Sequence, residues 1–278
     1  MTALIGKTQQ ARLKQIELEL NGARAVQSAL LPKSKSSMNI EVAVCCAPAG
    51  DIGGDICDVF EADHGRTAVV VGDVSGKGMA AGLLSCLLYG AVHTTSWTES
   101  ALDHEDATER LNDLLRKKTS ADRFASLFWG YYELETTTFK YVNAGHLPML
   151  LIRKSKHQEI QIEHLREGGP VLGILEWGNY QQGSARVEEG DLLILFSDGI
   201  LEAMNAAHDP FGEHRLLDSI RTHATGSPSE IQDAIQTALR AHMGGDDHPK
   251  TDDQTLMIAR FRNVPSETVP DEVDEVAV

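Results

Sequence analysis

The 278-residue sequence is short of several things, and each shortage closes off a class of protein. No apolar run approaches the ~20 residues that span a bilayer. Residues 1–13 carry no signal-peptide core, so the expectation is a cytoplasmic protein with no membrane partner. Basic residues are outnumbered: 25 Lys and Arg face 41 Asp and Glu, a formal charge of −16. That deficit argues against nucleic acid, whose phosphates demand a basic face, and against attachment to anionic lipid. Only four cysteines occur (Cys45, Cys46, Cys57 and Cys86), none in a Cys-x-x-Cys pair, so they read as reduced core thiols rather than a disulfide framework.

Familiar catalytic templates are missing as well. No Cys is followed six positions on by Arg, which removes a thiol phosphatase of the Cys-x5-Arg type. There is no Gly-x-Ser-x-Gly elbow. His104-Glu105 lacks the second His of a His-Glu-x-x-His zinc site, and the 11 histidines are scattered. Gly76-Lys77-Gly78 after a β-branched run imitates a phosphate-binding turn. A P-loop needs Ser or Thr after its Lys, however, and Gly78 stands there. The run Gly76-x-Gly78-x-x-x-Gly82 is one residue too wide for a dinucleotide fold.

What is present falls into three regions. Residues 1–36 read as a helical linker in which Leu13, Ile16, Leu20, Ala23, Gln27 and Leu30 follow coiled-coil steps of three and four. Pro32 closes it. This seam predicts either a homodimer through the N-terminal helix or docking on the domain behind. Residues 37–262 are the body, with strands expected over 40–47, 67–71, 125–133, 138–144, 148–153, 160–165, 191–196 and 254–261. Helices are expected over 79–93, 107–118, 212–223 and 228–243. Strands so closely spaced in the middle imply antiparallel hairpins, and helices grouped in pairs imply an α+β body with the helices outside. Residues 263–278 hold five acids and no base and predict a disordered acidic tail.

The strongest signal is a set of acids where apolar strands run out. Asp55 ends Gly53-Gly54-Asp55, Asp73 ends a strand and precedes glycines, Asp198 sits in Ser197-Asp198-Gly199, and Asp252 and Asp253 stand just before the last strand. Burying such carboxylates is costly unless something positive neutralises them. Lys77 is the one base near Asp73, and none adjoins Asp55 or Asp198. A hard divalent cation solves the problem, since Mg²⁺ and Mn²⁺ favour carboxylate, carbonyl and water oxygens. The set points to phosphoryl transfer to water, with no protein nucleophile. By contrast Asp58, Asp63 and Asp191 read as loop or turn carboxylates.

In order, Pro48-Ala49-x-x-x-Gly53-Gly54-Asp55, Gly72-Asp73-Val74-Ser75-Gly76-Lys77-Gly78, Asn143-Ala144-Gly145-His146, Ser197-Asp198-Gly199 and Asp252-Asp253-x-Thr255 resemble the bacterial SpoIIE/RsbU-type branch of the metal-dependent, PP2C-like serine/threonine phosphatases. The resemblance runs from Ala25 to about Arg262. It implies an antiparallel β-sandwich flanked by helix pairs, in α-β-β-α layers, with two Mn²⁺ or Mg²⁺ ions at one end. It further implies that Asp73 bridges the ions with the Val74 carbonyl near one of them, that Asp55 holds one ion, and that Asp198 and Asp252 complete the other. Asp253 occupies a position where eukaryotic relatives carry Asn. Asn143 to His146 reads as a structural turn. Two departures stand out: Ile56-Cys57 replaces an aromatic pair, and the phosphate-binding Arg of eukaryotic relatives has no evident counterpart, leaving Lys77 as the cation for substrate phosphate. The implied substrate is a phosphorylated regulatory protein, a STAS-type anti-anti-sigma factor by family analogy. A catalytically weak binding or signalling module and a metal-dependent phosphodiesterase remain the alternatives.

Overall fold

Val69 and Val71 face one side of their strand, Ala68 and Val70 the other, and all four are buried. A strand apolar on both faces must be covered on both. The computed structural model, which describes residues 2–36, 39–62, 65–94, 104–154, 160–245 and 250–262, meets that demand with four layers. One sheet runs, in spatial order, β1 (Lys35–Ser36), β2 (Ile40–Ala47), β12 (Gln254–Phe261), β11 (Leu192–Phe196), β7 (Met149–Lys154) and β8 (Ile160–Leu165). The other runs β10 (Gly183–Arg186), β6 (Thr138–Ala144), β5 (Ala125–Glu133), β4 (Arg66–Val74) and β3 (Ile56–Ala62). The two-residue β9 (Gly168–Gly169) lies parallel to β6, and the other described strand pairs are antiparallel.

The inner faces meet in a core that includes Phe128, Tyr141, Met257 and Phe261. On the outer face of the β3–β4–β5 sheet, α2 (Met79–His93) and α3 (His104–Lys118) supply Leu88, Leu111 and Leu115 against Trp129. On the opposite outer face, α5 (Gly212–His223) and α6 (Pro228–Met243) supply Leu216, Ile220, Ile231 and Ile235 against Ile194 and Ile258. This is the α+β sandwich expected from the sequence. Helix α6 shows how locally the chain specifies its ends. The Ser227 hydroxyl accepts from the Glu230 amide while the Glu230 carboxylate accepts from the Ser227 amide, Pro228 opens the first turn, and Gly244 closes the helix in the left-handed region at φ 90°.

Three features depart from the sequence reading. Residues 56–62 form β3, and Asp58 is not a loop carboxylate but a strand residue only 7% exposed, its oxygen 2.6 Å from His93 Nε2 of α2. The short strands β1, β9 and β10 and the single-turn α4 (Asp198–Leu201) have too few residues to show a periodicity. Helix α1 (Thr2–Leu30) uses its seam unevenly: Leu20, Ala23, Gln27 and Leu30 are half-buried, whereas Leu13 and Ile16 are exposed. Asp191 behaves as expected, its carboxylate accepting from the Glu188 amide in the turn before β11. Asp63 and residues 263–278 lie outside the described residues. Among the described residues all four cysteines are free thiols, and no helix is long and apolar enough to cross a membrane.

Candidate metal centre at one end of the sandwich

The strand registers bring the acids together. β3 pairs Ile56 with Gly72 of β4, β12 pairs Gln254 with Ala47 of β2, and β11 pairs Phe196 with Leu256. Asp55, Asp73, Asp198, Asp252 and Asp253 therefore emerge at one end of the sandwich, although they come from four separated stretches of chain. Two glycines allow the close approach. A Cβ on Gly54 would lie 2.9 Å from the Val74 carbonyl oxygen, and one on Gly199 would lie 2.0 Å from the Asp253 carbonyl oxygen.

The charges in this cluster are poorly compensated. Burial pushes Asp55 up to about 8, with repulsion from Asp73 adding to it, even though Thr255 Oγ1 donates to its carboxylate at 2.5 Å. Burial likewise raises Asp73 to about 7, followed by repulsion from Asp198 and Asp252. Asp198 is raised by burial and by Asp252. Lys77 is 64% exposed on its side chain and bonds Asp252 at 3.0 Å and the Thr251 carbonyl, and that hydrogen bond to Asp252 raises its pKa. The ammonium expected to meet substrate phosphate is thus engaged by a cluster acid.

Asp252 and Asp253, adjacent in sequence, do different things. Both oxygens of Asp253 are used on the loop that leads to Asp55: Oδ1 accepts from the Ala49 amide at 2.7 Å and Oδ2 from the Gly54 amide at 2.6 Å. Asp252 touches neither amide and faces Lys77, Asp73 and Asp198. Asp253 is a clamp.

Sequence reasoning under-read one support of this loop. Gln27 of α1, counted as a weak seam position, donates from Nε2 to the Gly53 carbonyl at 2.7 Å and accepts from the Gly53 amide at 3.1 Å. A polar residue on the docked face of an amphipathic helix was the available signal. The turn 143–146 is structural: the Asn143 side chain accepts from the His146 amide at 2.7 Å. His146, whose pKa burial lowers to about 4, lies 2.6 Å from Ser126 Oγ and 3.2 Å from the Phe196 carbonyl. That turn carries the chain from β6 of one sheet to β7 of the other.

As they stand, no three acid, imidazole or thiol side chains among the described residues converge on one point. The donor set is nevertheless all oxygen, and the raised pKa values of Asp55 and Asp73 record negative charge that lacks a counter-charge. Those properties fit hard divalent cations.

A family model described as Stage II sporulation protein E (SpoIIE) matches residues 63–262. The chain belongs to the SpoIIE family. Within the reach of that family, phosphoserine phosphatase RsbU of Bacillus subtilis is 27% identical over 249 residues, covering 89% of this chain and 71% of RsbU. Protein IcfG of Synechocystis is 27% identical over 274 residues, covering 88% of this chain but 42% of IcfG, so the chain spans less than half of that relative. Among solved structures, the SiaA-PP2C domain of Pseudomonas aeruginosa superposes with a TM-score of 0.75 at 22% identity, over 90% of this chain and 99% of that one. The SpoIIE phosphatase domain of B. subtilis with a fragment of its regulatory domain gives 0.65 at 22% identity, over 83% of this chain and 65% of that one. The SpoIIE-family body described above therefore has the fold of the PP2C domains on which it superposes.

Proposed function

We propose that this chain is a phosphoprotein phosphatase that hydrolyses phosphoserine or phosphothreonine on a regulatory partner, a STAS-type anti-anti-sigma factor, with two Mn²⁺ or Mg²⁺ ions at the acid cluster. The observation that carries this reading is that Asp55, Asp73, Asp198 and Asp252 emerge at one end of the sandwich near enough to repel one another, burial and that repulsion raising Asp55 to about 8 and Asp73 to about 7. In this reading those four carboxylates and the Val74 carbonyl hold the ions. When bound, such cations supply Lewis acidity toward a phosphoryl oxygen and toward water.

The chain's own residues do the positioning. Thr255 donates to one oxygen of Asp55 and, with Ser197, orients its carboxylate. Asp253 fixes the loop that bears Asp55, and Gln27 fixes the same loop from the N-terminal helix. Lys77 exchanges Asp252 for a substrate phosphoryl oxygen, for which its exposure leaves it free to swing. Residues 37–262 are taken as the phosphatase domain acting in the cytoplasm. Residues 1–36 are taken as the segment through which two copies pair, since Leu13 and Ile16 of α1 are exposed.

The test is phosphate release from a phosphoserine peptide and from p-nitrophenyl phosphate, with Mn²⁺, with EDTA, and with Asp73→Asn. The expected outcome is Mn²⁺-dependent release that EDTA and Asp73→Asn each reduce at least about a hundredfold. Release that survives EDTA, with no metal detected in the protein, overturns the reading.

A further inference from the structure

Beneath the acid cluster the apolar core gives way to a polar layer. Side chains alternate along a strand, so the inner face that carries Val71, Phe128, Leu195 and Met257 also carries, two residues nearer the cluster, Asp73, Ser126, Ser197 and Thr255. The buried ring of His146 joins this layer: its Nδ1 lies 2.6 Å from Ser126 Oγ and its Nε2 3.2 Å from the Phe196 carbonyl oxygen. A carbonyl only accepts, so Nε2 carries the ring proton, and Nδ1 accepts from the Ser126 hydroxyl. Burial, which lowers the His146 pKa to about 4, keeps that ring neutral.

The strand ladder cannot supply the Phe196 bond itself. β11 pairs Ile194 with Leu150 of β7, and two residues further the same register sets Phe196 opposite Pro148, which has no amide hydrogen. The imidazole takes the place of that missing donor. Its backbone is fixed in turn, the His146 amide donating to Asn143 Oδ1 at 2.7 Å. The two ends of the ring reach different sheets. Ser126 of β5 is the register partner of Asp73, whereas Phe196 of β11 stands two residues before Asp198. Burial, and after it repulsion from Asp198 and Asp252, raises Asp73 to about 7, and that repulsion acts to part the two sheet ends. Apolar packing is not directional, but hydrogen bonds are. Thr255 and Asp253 make the links on the Asp55 side, and His146 makes the one between the strands that carry Asp73 and lead to Asp198.

We propose that His146 is a positioning residue for the metal centre: by spanning from Ser126 to Phe196 it fixes Asp73 of one sheet relative to Asp198 of the other, and so sets the spacing at which they hold cations. The proposal rests on the metal-dependent phosphatase reading above and adds to it a residue that touches neither metal nor substrate. Losing this strut weakens cation binding beyond any loss of fold stability.

Isothermal titration of Mn²⁺ into the full chain, stripped of metal with EDTA and dialysed, tests this. Melting temperatures are measured on the same samples, and phosphate release from a phosphoserine peptide is read separately. His146→Phe keeps a ring but loses both bonds, and is expected to weaken Mn²⁺ binding about tenfold or more. Ser126→Ala removes only a half-buried hydroxyl and is expected to weaken it about threefold or more. The double variant is expected to bind no worse than His146→Phe, because both act through one connection. Val69→Ala, an inner-face truncation four residues back along β4, is expected to lower the melting temperature and leave Mn²⁺ affinity unchanged. Wild-type affinity in both single variants overturns the proposal, and Ser126→Ala decides alone if His146→Phe does not fold. Losses that multiply in the double variant overturn it too. So does an equal loss in Val69→Ala, which makes His146 a stabiliser only. The expected losses in a protein whose wild type binds Mn²⁺ but releases no phosphate uphold the positioning role and refute the phosphatase reading instead.

Discussion

Replacing Asp253 by Ala, in protein freed of metal by chelation, isolates the clamp from any metal-binding role of the cluster. The wild-type carboxylate receives two short bonds, from the Ala49 and Gly54 amides at 2.7 and 2.6 Å. Charge-assisted bonds of this kind contribute about 1.5–3 kcal/mol each, and truncation also strands both donors. Two terms reduce the total. The Ala49 end is exposed to water, and removing the charge relieves repulsion that raises Asp55 and Asp73. A net loss of about 3 kcal/mol follows, equivalent to ~6–12 °C in melting temperature for a domain of this size. Asp252→Ala is the internal control. Its partner Lys77 is 64% exposed, so the pair contributes no more than about 1 kcal/mol, and lifting repulsion from Asp73 and Asp198 offsets even that. Differential scanning calorimetry of the two variants in EDTA decides the matter. Equal melting temperatures, or a larger drop in Asp252→Ala, refute the division of labour between these neighbours.

Asp55 and Asp73, with values of about 8 and 7 against 3.8 in the unfolded chain, bind protons more tightly when folded. Their contribution is therefore full below about pH 4 and is lost as pH rises toward 8. Chelated protein is expected to melt higher at pH 5.5 than at pH 8, and Mn²⁺ to raise the melting temperature most at pH 8; a flat pH profile without metal contradicts this. Gly199→Ala forces a Cβ to 2.0 Å from the Asp253 carbonyl oxygen and is expected to cost more than about 3 kcal/mol, whereas Gly90→Ala, with nothing within 4 Å on α2, is expected to gain about 0.5–1 kcal/mol in thermal melts. Gln27→Ala frees the Gly53 backbone from α1 and is expected to raise the Mn²⁺ concentration for half-maximal activity several-fold, while exposed Leu13→Ser leaves it unchanged; a metal titration on folded protein checks both.

The sequence told most where one rule acted alone. Strands β2, β5, β6 and β12 were legible because their apolar residues lie on both faces of layers covered twice, and α6 because its capping box and Pro228 fix its start. The strand β3 escaped because Asp58 sits where a strand pattern demands an apolar residue. Its buried carboxylate is met by the Val59 amide and by His93, thirty-five residues away on α2. The acids of the site stood out as a group because each interrupts an apolar strand end. What each acid does was not legible, since Asp252 and Asp253 differ only in which amides and cations the fold brings within reach. Gln27 was hidden for the same reason: its partner is a backbone carbonyl in a loop that has no pattern of its own.

Strand β12 lies between β2 and β11, pairing along its whole length with residues 40–47, which precede it by about two hundred positions. During synthesis on a ribosome, β2 and β11 therefore emerge with unpaired edges that wait for residues 254–261 before their sheet can close. Until then Asp55 has no Thr255 to hold it, and the loop that carries it has no Asp253. A nascent or prematurely terminated chain can fold the β3–β4–β5 sheet early, from contacts close in sequence, yet presents no assembled acid cluster. Competence is thereby tied to completion of the domain, and fragments released by stalled translation carry exposed strand edges rather than unregulated activity.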